Sequence, residues 1–239
     1  MRLSCSCQDL GTTTSFFFKK TTDDNCRKGQ LSSPWTTRSK ILCFVECVTR
    51  FQDRCTNVVF NSLTLDCTPV HPVSRDVPTL TIQPDDVLYS KVAGRDLNCD
   101  TAAGFMLHEK CGTAACISNP IVNKDYDSAK IHCRDVNAFL FMPNTWDKFA
   151  LLESIVSQSH SNSYTWVALF KPGHLPNWFW DHVQLEQADA NFLSPLWAAH
   201  QPNSQLDEVC GFFSNRQANY KLHDASCTGK YRFLCEQNY

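Results

Sequence analysis

Residues 163–182 read SYTWVALFKPGHLPNWFWDH. Thr165-Trp166-Val167-Ala168-Leu169 and Trp178-Phe179-Trp180 are short, apolar and aromatic, which predicts two strands with a turn between them. Downstream, Val209-Cys210-Gly211-Phe212-Phe213 and Tyr231-Arg232-Phe233-Leu234-Cys235 predict two more. Upstream, Tyr126, Ala129, Cys133 and Val136 recur at helical spacing, as do Phe149, Leu152 and Val156 after a cap at Asn144 or Thr145. Two helices followed by strands predict an α+β domain. The connection from Asp181 to Glu208 is far longer than a structureless loop in a compact domain and is expected to carry function.

The full chain has 239 residues, 43% of them hydrophobic and 19% charged, enough apolar matter for a core and too little charge for disorder. Its 22 Lys and Arg against 24 Asp and Glu leave no basic excess for a phosphate backbone, so nucleic acid is not an expected partner. No apolar run reaches the roughly 18 residues of a membrane span. Fourteen cysteines, an even number, predict disulfides and hence a secreted, extracellular protein. The opening Met1–Asp9 shows no apolar signal segment, so the expectation is either a truncated gene model or a mature fragment.

The two halves differ. Residues 1–92 carry 11 basic and 9 acidic residues, a net of +2, while residues 93–239 carry 11 and 15, a net of −4. Five of six tryptophans lie in the second half. Ala93–Asn98, with Gly, Asn and charge but no periodicity, is the expected linker between a domain at 1–92 and another at 99–239. In the first half, Ser15–Lys20, Asn57–Phe60 and Val87–Tyr89 read as strands, and Ser39 as the cap of a helix from Lys40 to Arg50. Cys43 and Cys47 share one face of that helix, each suited to bridge to a segment packed there, with Cys55 and Cys67 as candidates. Double pinning suits a small domain that its core alone does not stabilise.

Across roughly residues 99–239 the chain resembles the C-type lectin-like family. The matching residues, in order, are Ala129-x-x-x-Cys133, Trp166-Val167-Ala168-Leu169, Trp178-Phe179-Trp180-Asp181, Trp197, Gln201-Pro202-Asn203, Glu208-Val209-Cys210-Gly211, Asp224-x-x-Cys227 and Phe233-x-Cys235-Glu236. The resemblance implies the pairs Cys133–Cys235 and Cys210–Cys227, and a third bridge from Cys116 to Cys99 or Cys111. It also implies that Trp166, Trp178 and Trp180 pack the core. The first half is similar to the PAN/apple module through Cys43-x-x-x-Cys47, Cys55, Phe60, Cys67 and a closing strand with Tyr89. That similarity implies Cys47–Cys55 and Cys43–Cys67, and a protein partner for the module. Cys5, Cys7 and Cys26 have no assigned partner.

In sugar-binding members of the lectin family, a loop triplet, a later Glu and an Asn-Asp pair hold one Ca²⁺, and two sugar hydroxyls complete its shell. Carried over, the calcium and carbohydrate ligands are Gln201, Asn203, Glu208, His223 and Asp224. The set is degenerate: it has two carboxylates rather than three, His223 replaces an amide, and imidazole is a poor Ca²⁺ ligand. The expectation is extracellular recognition of a glycan or glycoprotein, with calcium as the candidate cofactor. The alternative is calcium-independent protein–protein interaction or a matrix role on the same scaffold. No enzyme is expected. Cys111, Cys116, His132 and Cys133 lack the paired spacing of a zinc site, and the cysteines suited to a Cys–His nucleophile have bridge partners.

Overall fold

The computed structural model describes residues 3–9, 12–20, 30–31, 34–51, 55, 57–71, 85–91, 97–159, 163–173, 175–181, 185–203, 208–216 and 220–237. The chain forms two compact units, Met1–Arg95 with Glu109–Ala114, and Asp96–His108 with Ala115–Tyr239. Residues 93–96 of the expected linker, and Cys26, lie outside the described residues.

Unit 1 contains β1 (Leu3–Asp9), β2 (Thr12–Lys20), β3 (Gln30–Leu31), β4 (Trp35–Thr36), α1 (Lys40–Phe51), β5 (Asn57–Asn61), β6 (Asp66–His71) and β7 (Asp86–Lys91). The strands form one sheet in the order β1-β2-β7-β5-β6-β3, with β4 also on β6. Ser39 starts α1: its Oγ accepts from the amide of Leu42 at 3.3 Å, and its carbonyl accepts from the amide of Cys43 at 3.0 Å. Cys43, Phe44, Cys47 and Val48 form the buried face of α1, packed with Val58, Phe60 and Tyr89. Disulfides Cys43–Cys67 and Cys47–Cys55 pin that face. The buried amide of Asn57 donates to the Cys111 carbonyl at 3.1 Å and accepts from the Ser90 hydroxyl at 2.7 Å. Cys111 is itself disulfide-bonded.

The chain continues through β8 (Met106–Lys110), β9 (Thr113–Ser118), α2 (Tyr126–Asp135), β10 (Ala138–Leu140), α3 (Trp146–Ser159), β11 (Tyr164–Phe170), β12 (Phe179–Asp181), β13 (Leu185–Gln187), α4 (Ala190–Leu193), a 3₁₀ turn (Ser194–Leu196), β14 (Glu208–Ser214), β15 (Lys221–Ser226), β16 (Arg232–Phe233) and β17 (Cys235–Gln237). One sheet runs β10-β17-β9-β8 and a second β13-β12-β11-β14-β15, with β16 parallel to β11. Asp125 caps α2, accepting from the amide and hydroxyl of Ser128 at 2.8 and 3.0 Å, and the amide bond first of all holds its carboxyl below the usual range. Of the two caps considered for α3, Thr145 serves: its Oγ1 accepts from the Lys148 amide at 3.2 Å.

The large sheet has a core on each face. Trp166, Ala168, Cys210, Phe212 and Phe233 pack against Tyr126, Ala129 and Cys133 of α2. Val167, Leu169 and Phe213 pack against Phe149, Leu152 and Val156 of α3, together with Trp178, Trp180 and Leu222. Trp166, Trp178 and Trp180 are therefore core residues. Bridges Cys133–Cys235, Cys210–Cys227 and Cys99–Cys116 complete the unit; of the two partners left open for Cys116, the structure joins Cys99. Lys130 and Asp181 form an ion pair between α2 and β12.

One expectation is corrected. Tyr231–Cys235 is not one strand. Phe233, Leu234 and Cys235 are all buried, a run that a strand with one wet face does not accommodate, and the chain changes sheets: β16 lies on β11 and β17 between β10 and β9. The connection 181–208 is not structureless. Asp189 caps α4 by accepting from the Asn191 amide at 2.8 Å, Ala188, Leu193, Leu196 and Ala198 are buried, and Trp197 packs on Trp178 at 5.1 Å.

Cys133–Cys235 closes 102 residues and Cys47–Cys55 closes 8. Loop-closure entropy then assigns about 4.7 kcal/mol to the first and about 2.5 kcal/mol to the second. Urea unfolding of the two paired Cys→Ala variants is expected to show losses in that order; equal losses would refute the entropic account. Gly211 is a packing glycine, since an added Cβ would stand 2.8 Å from the Leu169 Cβ. Gly211→Ala is expected to lower stability by about 1–3 kcal/mol, the usual penalty of overpacking, and a neutral effect would mean that β11 shifts freely.

Candidate functional site

The segment after the 3₁₀ turn is held beside β15 by backbone bonds. Trp197 bridges to Leu222, and the Ala198 amide donates to the Leu222 carbonyl at 2.9 Å. The Gln201 amide turns back to the Ala198 carbonyl at 3.0 Å, and the Gln201–Pro202 peptide is cis. This path delivers residues 201–203 to Asp224. The Asn203 amide donates to Asp224 Oδ1 at 3.2 Å, and the Asp224 amide donates to Gln201 Oε1 at 3.4 Å. Asp224 is buried, 5% exposed. Gln201, Asn203 and Asp224 thus form one knot, tied through side-chain oxygens and backbone N–H groups.

His223 does not join it. Side chains alternate along a strand. Leu222 and Asp224 are buried on one face of β15, and the His223 ring turns to the other, stacked on Phe212, its cross-strand partner, at 5.2 Å and 15°. Burial is the first cause that lowers the His223 pKa, and Asp224 opposes it. Glu208 begins β14 opposite Ser226. Its Oε2 is buried with no hydrogen-bond partner among the described residues, and its charge is one of the influences, after burial and Tyr164, that raise the Tyr231 phenol.

Sequence reasoning did not single out Tyr231, Tyr164 or Arg216. Tyr231 packs on Trp166 at 4.5 Å, Phe212 at 5.0 Å and Tyr164 at 5.2 Å. Arg216 Nη1 donates to the Tyr164 hydroxyl at 2.7 Å. The signal that could have found them is strand parity: once His223 pairs with Phe212, its neighbours are the rings around Trp166.

These donors do not fit Ca²⁺. The ion takes six to eight oxygens and gains affinity from anionic ligands. Here Gln201 Oε1 and Asp224 Oδ1 each accept a backbone N–H, Asp224 is the one carboxylate in the knot, and the His223 ring lies on the opposite face of its strand. Among the described residues no group of three or more His, Cys, Asp or Glu is placed to hold a metal.

The α+β fold of the second unit is C-type lectin-like. Residues 122–237 match the family model described as Lectin C-type domain. Solved structures with a similar chain include human lithostathine, at 18% identity over 61% of this chain and 94% of that one, with a TM-score of 0.49. The mouse scavenger receptor C-type lectin carbohydrate-recognition domain is similar at 18% identity over 55% and 95%, with a TM-score of 0.44. A calcium-independent type II antifreeze protein is similar at 16% identity over 56% and 92%, with a TM-score of 0.45. No curated protein sequence matches the chain.

A lowered histidine pKa makes the folded state bind fewer protons than the unfolded one, so stability is retained above the ordinary histidine value and falls as pH drops through it. His223→Phe keeps a stacked ring and removes the titration. The variant is expected to lose less stability than wild type between about pH 7.5 and 5.5, the span around the histidine value, in urea unfolding. Parallel losses would show that His223 titrates alike in both states.

Proposed function

We propose that this chain is an extracellular recognition protein without catalytic activity. In this reading the C-type lectin-like domain, 99–239, binds a glycan or protein surface without calcium. A PAN/apple-like module, 1–92, joined by 93–98, supplies a protein contact. The observation that carries the calcium-free reading is the knot of Gln201, Asn203 and Asp224. In a calcium lectin the cation gathers the loop oxygens; here backbone N–H groups occupy two of those oxygens and hold the loop to β15. A loop already tied in this way presents a preformed surface, which lowers the ordering cost of binding. Five disulfides among the described residues support an oxidising compartment. No described helix is long and apolar enough to cross a membrane.

The test is binding of the full, oxidised chain to a glycan array and to an extracellular protein panel, each in calcium and in chelator. Binding is expected to be equal in both, and calorimetric titration with CaCl₂ is expected to show no saturable heat. Loss of binding in chelator would overturn the calcium-free reading.

A further inference from the structure

Unit 1 includes six residues beyond the expected linker, Glu109–Ala114, so the chain passes between the units three times, at 95–96, 108–109 and 114–115. Those six residues carry the turn between β8 and β9. The turn has two residues, Cys111 at φ 48° and Gly112 at φ 87°. Two positive φ values in a two-residue hairpin turn favour Asn-Gly, and a cysteine at the first position is strained. Cys111 is buried and disulfide-bonded.

Its neighbours fix the face of the unit 1 sheet on which it lies. Cys111 packs with Val59, Val70 and Leu88, and its carbonyl accepts from the Asn57 amide. Register sets these residues on one face, with Val59 opposite Leu88 and Asn57 opposite both Val70 and Ser90. Val58, Phe60 and Tyr89 point the other way, onto α1.

Ten of the other thirteen cysteines pair among themselves in five bridges, which leaves Cys5, Cys7 and Cys26 as partners for Cys111. Directly opposed residues of antiparallel strands share a face, and residues two apart along a strand return to it. Tyr89 is opposite Lys20, which is in step with Phe18, Phe16 and Thr14 along β2. Positions 5 and 7 are opposite Phe16 and Thr14, so the register puts them on the α1 face, away from Cys111. Cys26 stands four residues before Gln30, a Cα separation of at most roughly 14 Å. From Gln30 the chain enters β3, where Leu31 is opposite Val70, a member of the group that packs with Cys111.

We infer that Cys111 is bridged to Cys26, so that the β8–β9 turn is covalently fastened to the N-terminal sheet. Forming the bond takes two electrons and two protons from the two thiols, and a low-molecular-weight disulfide accepts them and becomes two thiols. The five described bridges each lie wholly on one side of 93–98. Cys26–Cys111 therefore joins the two sides covalently in addition to the backbone. A protease cut in the linker leaves the lectin-like domain attached, and release requires the cut and reduction of this bridge together.

The test begins with the full oxidised chain, digested with trypsin without reductant and mapped by mass spectrometry. Cleavage after Lys20, Arg27, Arg95, Lys110 and Lys124 leaves Cys26 in 21–27, Cys99 in 96–110, and Cys111 with Cys116 in 111–124. Because Cys99–Cys116 joins two of these peptides, the expected product is one species containing all three. Peptide 3–19 in place of 21–27, or an alkylated Cys111, would overturn the pairing. A second chain carries a specific protease site inserted between Gly94 and Arg95. Once cut, it is expected to run on a denaturing gel as one band without reductant and as two bands with it. Two bands without reductant would refute the bridge. Cys26→Ala in this chain is expected to give two bands in both conditions, and Cys5→Ala and Cys7→Ala to keep one band without reductant; a single unreduced band from Cys26→Ala would assign Cys111 to another cysteine. The peptide map reads wild type, so the pairing is tested however the variants fold.

Discussion

Thr165 to Leu169 are five consecutive buried residues, and a strand buried on both faces requires a layer on each side. On one side α2 supplies Tyr126, Ala129 and Cys133, and on the other α3 supplies Phe149, Leu152 and Val156. The neighbours β12 and β14 take their register from β11, with Leu169 opposite Trp180 and Trp166 opposite Phe212. Burying so many large side chains, at about 25 cal/mol per Å² of apolar surface, is the main favourable contribution to this domain. Glu208, Phe212, His223 and Asp224 lie on β14 and β15, whose register follows from β11 in this way.

The alternation that places β11 also divides the lectin-like positions. Here the side chains of the adjacent residues His223 and Asp224 lie on opposite faces of β15. Leu222 is buried behind the loop knot, so Asp224 faces the loop and His223 faces the aromatic rim of Phe212, Tyr231 and Tyr164. Substituting histidine at this position therefore does more than replace an oxygen with a nitrogen. It gives the rim a flat, hydrogen-bonding ring that stacks on Phe212.

The α+β class, α1, α2 and α3 and the strands β5, β11 and β14 were legible because each combines a cap or breaker with strong periodicity or a continuous apolar run. Ser39, Thr145 and the run at Thr165–Leu169 are the decisive signals. The β8–β9 hairpin was not legible, since Met106, Leu107 and Glu109 are exposed and leave no alternating pattern. Nor was β15, where a buried Asp224 occupies a position that a hydropathy pattern assigns to a loop. The knot was half legible. Gln201, Pro202, Asn203 and Asp224 stand out as residues, but their hydrogen bonds to one another follow from a backbone path through Ala198 that composition does not encode.

One small contact has a mechanical meaning. The Asp100 amide donates to the Gln237 side chain at 3.0 Å, so the two ends of the lectin-like domain meet. Cys99 is bridged to β9, and Cys235 ties β17 to α2. Tension applied between those ends is therefore borne over a few ångströms, by two covalent bridges and a short ladder of β9, β17 and β10. The load path bypasses β14, β15, the loop knot and the aromatic rim. A domain built in this way can carry load between its ends and leave the loop knot and the aromatic rim undeformed.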